Sequence, residues 1–274
     1  MKKSTLELTK QAGVVPLPTE VYRSLNFDAR GELLLSWLDK SGSIFVDCVG
    51  SHLEPSEFKH LGFQFPTVQR FTDGRWLIAD KRCREAENNA RVFSQDMELL
   101  REFRLDDAIE QVLVDTKGGI WVGYFDENPL GLREFSDTGD LLYDFNNSSG
   151  HDIFDLYAMH LDLEGDIWVY PYTDFYLARI SSGAVEVVVE RCPVKGAKAI
   201  LVGGSHIAFF GSYDGDGVYL FDFRSRKGLL VELTVDGKPV ERPVIATRGE
   251  TAALLWQDSI YLVTLANLIN ATKV

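Results

Sequence analysis

Six aspartates recur at matching points of the chain, and their type and spacing make them the first candidates for chemistry. Each follows an apolar, strand-like segment, as in Tyr124-Phe125-Asp126 and Tyr172-Thr173-Asp174. Carboxylates gathered on one surface focus negative potential and attract a cationic partner. Aspartate is also a common turn residue, because its side chain accepts hydrogen bonds from nearby backbone N–H groups. The six are Asp39, Asp80, Asp126, Asp174, Asp214 and Asp258.

Aromatic residues accompany these acids. In four copies a Trp or Tyr lies two residues before the Asp, which places both side chains on one face of a strand. Tyr and Trp supply contact area at low entropic cost, so an acidic, aromatic-lined recognition surface is predicted. The candidate binding residues are Trp37, Asp39, Asp80, Tyr124, Asp126, Glu127, Asn128, His151, Tyr170, Tyr172, Asp174, Tyr213, Asp214, Asp216, Trp256 and Asp258.

Other chemistry is not apparent in the sequence. It contains no H-E-x-x-H, no G-x-S-x-G, no P-loop and no G-x-G-x-x-G. Asp216 between two glycines resembles part of a calcium loop, but Val218 occupies a ligand position. The three cysteines are too scattered for a disulfide framework or a CxxC metal site. We therefore predict no catalytic set, no metal ligands and no cofactor, and leave open a calcium ion held by converging acids.

An internal repeat predicts the elements that must position these residues. A polar turn with glycine precedes an apolar strand, often with Trp, as in Gly118-Gly119-Ile120-Trp121-Val122. The turn glycines Gly31, Gly74, Gly118, Gly165, Gly204 and Gly249 are spaced 39 to 47 residues apart. A period of about 40–50 residues built only of strand-like segments is typical of a β-propeller. The fold class is therefore all-β, a six-bladed β-propeller with four-stranded antiparallel blades, forming a single domain over residues 1–274.

The strands follow from the turns. In the third repeat we predict strands Glu110–Val114, Ile120–Tyr124, Gly131–Phe135 and Leu141–Phe145. The sixth repeat lacks an outer strand, so Thr5–Thr9 is expected to pair beside Ile260–Leu265 and close the ring. The alternative closing strand is Leu268–Lys273. In a propeller, b–c and d–a connections share one face, so all six aspartates are expected there.

Composition limits the partners. The 274 residues include 28 Lys and Arg and 41 Asp and Glu, giving a net charge of −13. This charge argues against nucleic acid and against an anionic membrane surface. No apolar run approaches the roughly 20 residues of a membrane-spanning helix. We expect a cytoplasmic protein that is monomeric outside its complex and binds a basic protein partner.

Two blocks carry a family resemblance. The block Ile120-Trp121-Val122-Gly123-Tyr124-Phe125-Asp126-Glu127, followed by Gly131-Leu132-Arg133-Glu134-Phe135-Ser136, resembles the repeat of bacterial sensor-type propellers. Together with Tyr172-Thr173-Asp174-Phe175-Tyr176-Leu177-Ala178-Arg179-Ile180, it is more similar still to bacterial cytoplasmic β-propeller proteins of no established activity. The resemblance is clear over residues 111–180 and implies the fold but no catalytic residues. Gluconolactonase-like propellers share the six-blade count, but the sequences around their metal ligands are not matched here.

These observations favour binding over catalysis. The leading prediction is a non-catalytic acidic binding propeller that recognises a basic protein, for example an inhibitor or immunity-type protein. One alternative is a calcium-dependent hydrolase or lactonase of the six-bladed propeller type. Another is a sugar- or peptide-sensing module, which the aromatic residues beside the acids would suit.

Overall fold

The computed structural model describes residues 3–11 and 21–272, and this part of the chain is built almost entirely of short strands. Six sheets follow one another along the chain, and the fold is an all-β, six-bladed β-propeller, as predicted. The chain contacts divide it into two compact units. The first unit comprises residues 21–156, and the second comprises residues 3–11 with 157–272. That the whole chain acts as one domain stays a prediction.

The first unit holds three sheets of four antiparallel strands each, with strands paired in chain order. We call the four strands of a blade a to d. Strand β1 (Lys3–Glu7) belongs to the second unit. Blade 1 comprises β2 (Tyr22–Phe27), β3 (Leu33–Leu38), β4 (Ile44–Cys48) and β5 (Ser56–Phe58). Blade 2 comprises β6 (Pro66–Arg70), β7 (Trp76–Asp80), β8 (Ala90–Phe93) and β9 (Leu99–Phe103). Blade 3 comprises β10 (Ile109–Val114), β11 (Ile120–Tyr124), β12 (Leu132–Phe135) and β13 (Leu141–Asp144), followed by the one-turn helix α1 (Phe145–Ser148).

The second unit holds the other three sheets, except residues 155 and 156, which begin blade 4 and belong to the first unit. Blade 4 comprises β14 (Asp155–Leu161), β15 (Ile167–Tyr172), β16 (Leu177–Ser181) and β17 (Ala184–Val189). Blade 5 comprises β18 (Ala199–Gly203), β19 (His206–Ser212), β20 (Gly215–Asp222) and β21 (Lys227–Val235), with the two-residue strand β22 (Lys238–Pro239) paired to β21. Blade 6 comprises β23 (Val244–Arg248), β24 (Thr251–Trp256) and β25 (Ser259–Thr264), followed by helix α2 (Leu265–Ala271).

The N-terminal strand is placed differently from the prediction. Strand β1 (Lys3–Glu7) pairs in parallel with β21, the outer strand of blade 5. The residues that follow β1 reach β25 through a bridge between Lys10 and Tyr261 and a hydrogen bond of 2.7 Å from Gln11 N–H to the Ile260 carbonyl. The expected pairing of Thr5–Thr9 along Ile260–Leu265 is therefore wrong. The exposed edge of the nine-residue strand β21 offers a longer run of backbone partners.

The alternative closing strand is also wrong. Residues 265–271 form α2, whose N-cap Thr264 and Asn267 make a reciprocal capping box. Leu265 and Leu268, one helical turn apart, are buried in the core of the second unit. Lys273 lies outside the described residues. The described part of blade 6 thus has three strands.

The hydrophobic core lies between neighbouring blades of each unit. In the first unit, Ile44 and Phe58 of blade 1 pack with Ile78 and Phe93 of blade 2. In the second unit, blade 4 packs on blade 5 and blade 5 on blade 6 in the same way. Strands a and b are buried on both faces in blades 2 and 5, because each of these blades packs between two neighbours of its own unit.

The repeated turn explains the regular spacing. Asp115 Oδ1 accepts hydrogen bonds from the N–H groups of Lys117 and Gly119, and Asp115 Oδ2 accepts one from the Trp121 indole at 3.2 Å. Gly118 has φ of +91°, which glycine adopts without strain. Asp162 and Trp168 repeat the arrangement in blade 4 at 2.7 Å. In these two blades the turn therefore fixes where the b strand begins.

Candidate functional site

Two of the six recurring aspartates have structural roles. Asp39 Oδ1 accepts hydrogen bonds from the Ser41 hydroxyl and from the N–H groups of Ser41 and Ser43, and these bonds lower the pKa of its carboxyl group. Asp80 is buried, and its two oxygens each accept a backbone N–H at 2.8 Å, from Gln64 and Phe65. Both carboxylates are therefore used to hold loops in place.

The other four aspartates are exposed and lie in the connection between strands b and c of their blades. Within residues 3–11 and 21–272, the carboxylates of Asp126, Asp174 and Asp214 take part in no hydrogen bond or ion pair. Asp258 has a further interaction. Asp126 belongs to the first unit and the other three to the second. That all six acids share one face stays a prediction.

Three of the predicted aromatic residues belong to the core and not to an exposed surface. Trp37 is buried and stacks on Phe45 at 5.4 Å. The hydroxyl groups of Tyr124 and Tyr170 are both buried and donate 2.6 Å hydrogen bonds to backbone carbonyls. Burial raises the pKa of both phenols because the phenolate would be poorly solvated. Tyr124 lies in the core between blades 2 and 3, and Tyr170 in the core between blades 4 and 5, so neither ring faces solvent.

The remaining predicted residues have varied surroundings. Glu127 is exposed and pairs with Arg82 at 2.8 Å, while Asn128 Nδ2 donates to the Asp107 carbonyl. His151 is exposed, and its backbone N–H and C=O groups both bond to the Ser149 hydroxyl. Asp216 and Trp256 are half-buried. The Asp216 carboxylate lies 3.5 Å from the Lys198 ammonium group, and the Trp256 ring packs against Tyr261.

A cluster of aromatic rings on blades 4 and 5 is the most distinctive feature of the second unit. It consists of Tyr157, Tyr172, Phe175 and Tyr213, and we call it the tyrosine patch. The ring of Phe175 makes edge-to-face contacts with the other three at centroid distances of 5.5 to 6.0 Å. The hydroxyl oxygens of Tyr157 and Tyr213 are 2.5 Å apart. Tyr172 is 37% exposed and Tyr213 is 60% exposed, so their rings are available for contact.

Local backbone structure positions the patch. Phe175 is 3% exposed and has φ of +51°, a left-handed conformation that costs a bulky residue about 1–2 kcal/mol. In this conformation the Phe175 ring contacts the three tyrosine rings, while the preceding Asp174 is exposed. Tyr213 N–H donates to the Lys195 carbonyl, and its ring lies on Gly196, where a Cβ atom would come within 2.3 Å. The exposed ring is therefore held in a fixed position.

A pocket of about 280 Å³ adjoins the patch in the second unit. Its apolar wall includes Val194, Tyr219 and Leu230, and Asp214 is also part of its lining. Tyr219 and Leu230 are paired across strands β20 and β21, so their side chains share one sheet face. Pro193 and Ser212 also line it, and the glycines at 211, 215 and 217 contribute no side chains to the wall.

A second pocket, of about 400 Å³, lies in the first unit and is strongly polar. Its arginines already have acidic partners: Arg91 pairs with Glu102 at 2.6 Å, and Arg82 with Glu127. Asp80, also in the lining, is occupied by its two backbone donors. The charges of this pocket are therefore satisfied within the protein, unlike those beside the tyrosine patch.

Charged side chains also gather in the first unit around Asp155. Desolvation, together with the charges of Asp126 and Glu110, raises the pKa of Asp155 to about 6. Burial likewise raises the pKa of Glu110, and it lowers the pKa of Lys81, whose ammonium group bonds to the Glu110 carbonyl at 2.6 Å. A carboxyl group with a pKa of about 6 exchanges protons near neutral pH.

Sequence analysis missed several of these residues. Tyr157 lies two residues after Asp155 in an a strand, and Phe175 directly follows Asp174, so proximity in sequence was an available signal. Asp155, Glu110 and Lys81 carry no recognisable motif. Among the described residues, no group of three or more His, Cys, Asp or Glu side chains could hold a metal ion. The described helices are too short or too polar to cross a membrane.

No protein-family model and no curated protein sequence matches this chain. Solved structures match it throughout. A virginiamycin B lyase from Staphylococcus aureus has a TM-score of 0.57 at 14% identity, covering 92% of this chain and 98% of the lyase. Regucalcin, a calcium-binding protein from Agrobacterium tumefaciens, has a TM-score of 0.56 at 12% identity, with 95% of each chain covered.

A third similar structure is the extracellular domain of a hybrid two-component system from B. thetaiotaomicron, with a TM-score of 0.55 at 12% identity. It covers 97% of this chain and 42% of that one. At these identities the likeness extends to the fold alone, since one fold supports many functions. The structural neighbours are thus bacterial β-propeller proteins, which agrees with the resemblance in the sequence at the level of fold.

Proposed function

We propose that this protein is a non-catalytic binding propeller that recognises a basic protein partner through the tyrosine patch and the neighbouring Asp174 and Asp214. The proposal includes action in the cytoplasm, as a monomer outside the complex and without a cofactor. The observation that carries it is the coincidence of exposed, rigidly held tyrosine rings with carboxylates that have no partner in the described structure.

Energetic reasoning supports this surface as the contact. Tyrosines are frequent among the residues that dominate binding energy, because they bury a large area with few rotamers to freeze. An unpaired carboxylate beside them is ready to form a charge-assisted hydrogen bond with Lys or Arg. Lys198 already neutralises Asp216, so the free negative charge at the patch comes from Asp174 and Asp214. The net charge of −13 would further attract a basic partner.

The test is affinity capture with the full chain as bait, first from lysate of the source cell and then with each captured protein purified. Two double variants probe the surface: Tyr172→Ala with Tyr213→Ala, and Asp174→Asn with Asp214→Asn. A matched control, Glu164→Gln with Glu250→Gln, removes two exposed carboxylates of the same unit from turns at the opposite strand ends.

We expect the purified partner to be basic and both surface variants to bind it at least about 100-fold more weakly, as removal of interface anchors typically costs 2 kcal/mol or more. The control should bind like the wild type. Equal binding by the wild type and both surface variants would refute the proposed surface, and a consistently acidic partner would refute the proposed class.

A further inference from the structure

We infer that the pocket beside the tyrosine patch binds an arginine side chain presented by the basic partner. This inference rests on the proposed function, and it names the chemical group that the surface recognises. The pocket combines an apolar wall, open glycine positions and a carboxylate without a partner, all within blade 5 and the loop that precedes it.

The apolar wall suits the stem of a long basic side chain. Val194, Tyr219 and Leu230 present hydrocarbon surface, and a cavity of about 280 Å³ accommodates one extended side chain together with displaced water. Lys and Arg regularly pack their methylene groups along such surfaces while the charged end reaches a polar group. A short acidic side chain from a partner would meet no positive charge in this lining.

The charged end of the pocket favours arginine over lysine. Asp214 belongs to the lining and directly follows Tyr213, so carboxylate and exposed ring are adjacent. A guanidinium group is planar, pairs with a carboxylate through two parallel hydrogen bonds and stacks on aromatic rings. An ammonium group makes a point contact and is more strongly hydrated, so it gains less from the same surroundings.

The structure of the b–c turn keeps the pocket open. The Ser212 hydroxyl donates to the Gly215 carbonyl at 3.2 Å and accepts from Asp214 N–H at 3.0 Å, which fixes the carboxylate-bearing residue in the turn. Gly217 lies behind the turn, and a Cβ atom there would come within 2.9 Å of Leu230 Cδ1. The substitution Gly217→Ala would therefore push the Leu230 side chain without touching the tyrosine patch.

The experiment is an NMR titration of the purified full chain with short blocked peptides, a method that detects millimolar binding. The probes are acetyl-Gly-Arg-Gly-amide and its lysine and citrulline versions, the last being a neutral isostere of arginine. The protein variants are Gly217→Ala and Asp214→Asn, with Glu164→Gln as a control outside the pocket. Thermal unfolding of each variant establishes that it is folded.

We expect the arginine peptide to perturb residues of the pocket and the citrulline peptide to bind about tenfold more weakly, because a charge-assisted hydrogen bond is lost. The lysine peptide should also bind more weakly than the arginine peptide. Asp214→Asn and Gly217→Ala should each weaken arginine binding by about tenfold, by loss of charge and loss of space respectively. Glu164→Gln should bind like the wild type.

The inference and the proposed function can fail separately. Absence of arginine-peptide binding, or equal binding by the wild type, Asp214→Asn and Gly217→Ala, would overturn the assignment of the pocket. Partner capture that still depends on Tyr172 and Tyr213 would then leave the proposed function standing. Conversely, arginine-peptide binding in the pocket with partner capture unaffected by the surface variants would uphold the arginine specificity of the pocket but overturn both its role in partner recognition and the proposed function.

Discussion

At the scale of single residues, the recurring aspartates show that the same residue type can have different roles at equivalent positions of the repeat. The carboxylates of Asp39 and Asp80 accept several hydrogen bonds from nearby loops. The carboxylates of Asp174 and Asp214 accept none in the described structure. The sequence pattern around all of them is similar. What differs is whether a loop passes close enough to supply N–H donors, and this separates structural acids from candidate binding acids.

Removal of the Asp80 side chain should destabilise the protein by about 2–3 kcal/mol, because two backbone N–H groups would lose their buried acceptor. Asp39→Ala should cost about 1 kcal/mol or less, since the loop it organises is reached by water. Urea unfolding at a constant m-value measures both differences. Similar midpoints for the two variants would contradict the structural role of Asp80.

Asp155 should make stability depend on pH. Its pKa is raised on folding to about 6, so the folded protein holds this proton more tightly than the unfolded chain. Its unfavourable contribution is absent below the unfolded pKa of about 4 and is complete above about pH 6. Since much of the group is exposed, solvent screening reduces the effect to about 1 kcal/mol.

The variant Asp155→Asn should therefore melt at a temperature about 2–4 °C higher than the wild type near pH 8 and at an equal temperature near pH 4. Thermal unfolding followed by circular dichroism at several pH values measures the difference. A difference that is the same at both pH values would show that Asp155 acts through something other than its charge. Asp126→Asn should produce a smaller change of the same sign, because it removes one of the charges that raise the pKa.

At the scale of elements, β1 pairs with the outer strand of blade 5 and not with the outer strand of blade 6. It pairs in parallel with β21 over five residues, and its Lys3 ammonium group lies 2.7 Å from the Glu232 carboxylate. Leu8, directly after the strand, is buried in the core shared by blades 5 and 6. Backbone pairing and this buried leucine, together with the partly buried Leu6 packed against the same core, attach the N-terminal segment to the second unit.

The substitution Leu8→Asp should detach this segment, since an unpaired charge cannot remain in an apolar core. We expect faster trypsin cleavage after Lys10 and a lower melting temperature. Thr9→Asp, at an exposed neighbouring position, introduces the same charge and should change neither. Equal cleavage of the two variants would mean that Leu8 is not the anchor. Limited proteolysis followed by mass spectrometry gives the answer.

At the scale of the whole molecule, the net charge affects the rate at which a charged partner associates. A charge of −13 attracts a basic protein over distances at which contacts are not yet made. Salt screens this attraction, and the screening length falls from about 14 Å near 50 mM to about 4 Å near 500 mM. The proposed function therefore predicts a strong effect of salt on association and a weaker one on dissociation.

For the partner captured with the wild type, we expect the association rate constant to fall at least about tenfold between about 50 and 500 mM sodium chloride. Surface plasmon resonance or stopped-flow fluorescence measures this rate. The Glu164→Gln with Glu250→Gln control should show nearly the same dependence, because it removes only two charges. An association rate that does not change with salt would argue against electrostatic attraction as the basis of recognition.

The sequence by itself determined the repeat, the number of sheets and most strands. Strand β11 begins and ends at the predicted residues, and predicted strand Leu141–Phe145 differs from β13 at its last residue alone. These features depend on neighbours within one turn or strand, such as Asp115 bonding to residues two and four positions on. A short stretch of sequence is sufficient to specify both local hydrogen bonding and side-chain alternation.

Only the tertiary structure decided the location of β1 and the difference between structural and free acids. Lys3 meets Glu232, and Asp80 meets a loop 15 and 16 residues before it in the chain. It also decided that Tyr124 and Tyr170 are buried while Tyr172 and Tyr213 are exposed. Burial and strand pairing are set by which distant segments pack together, and no short stretch of sequence contains that information.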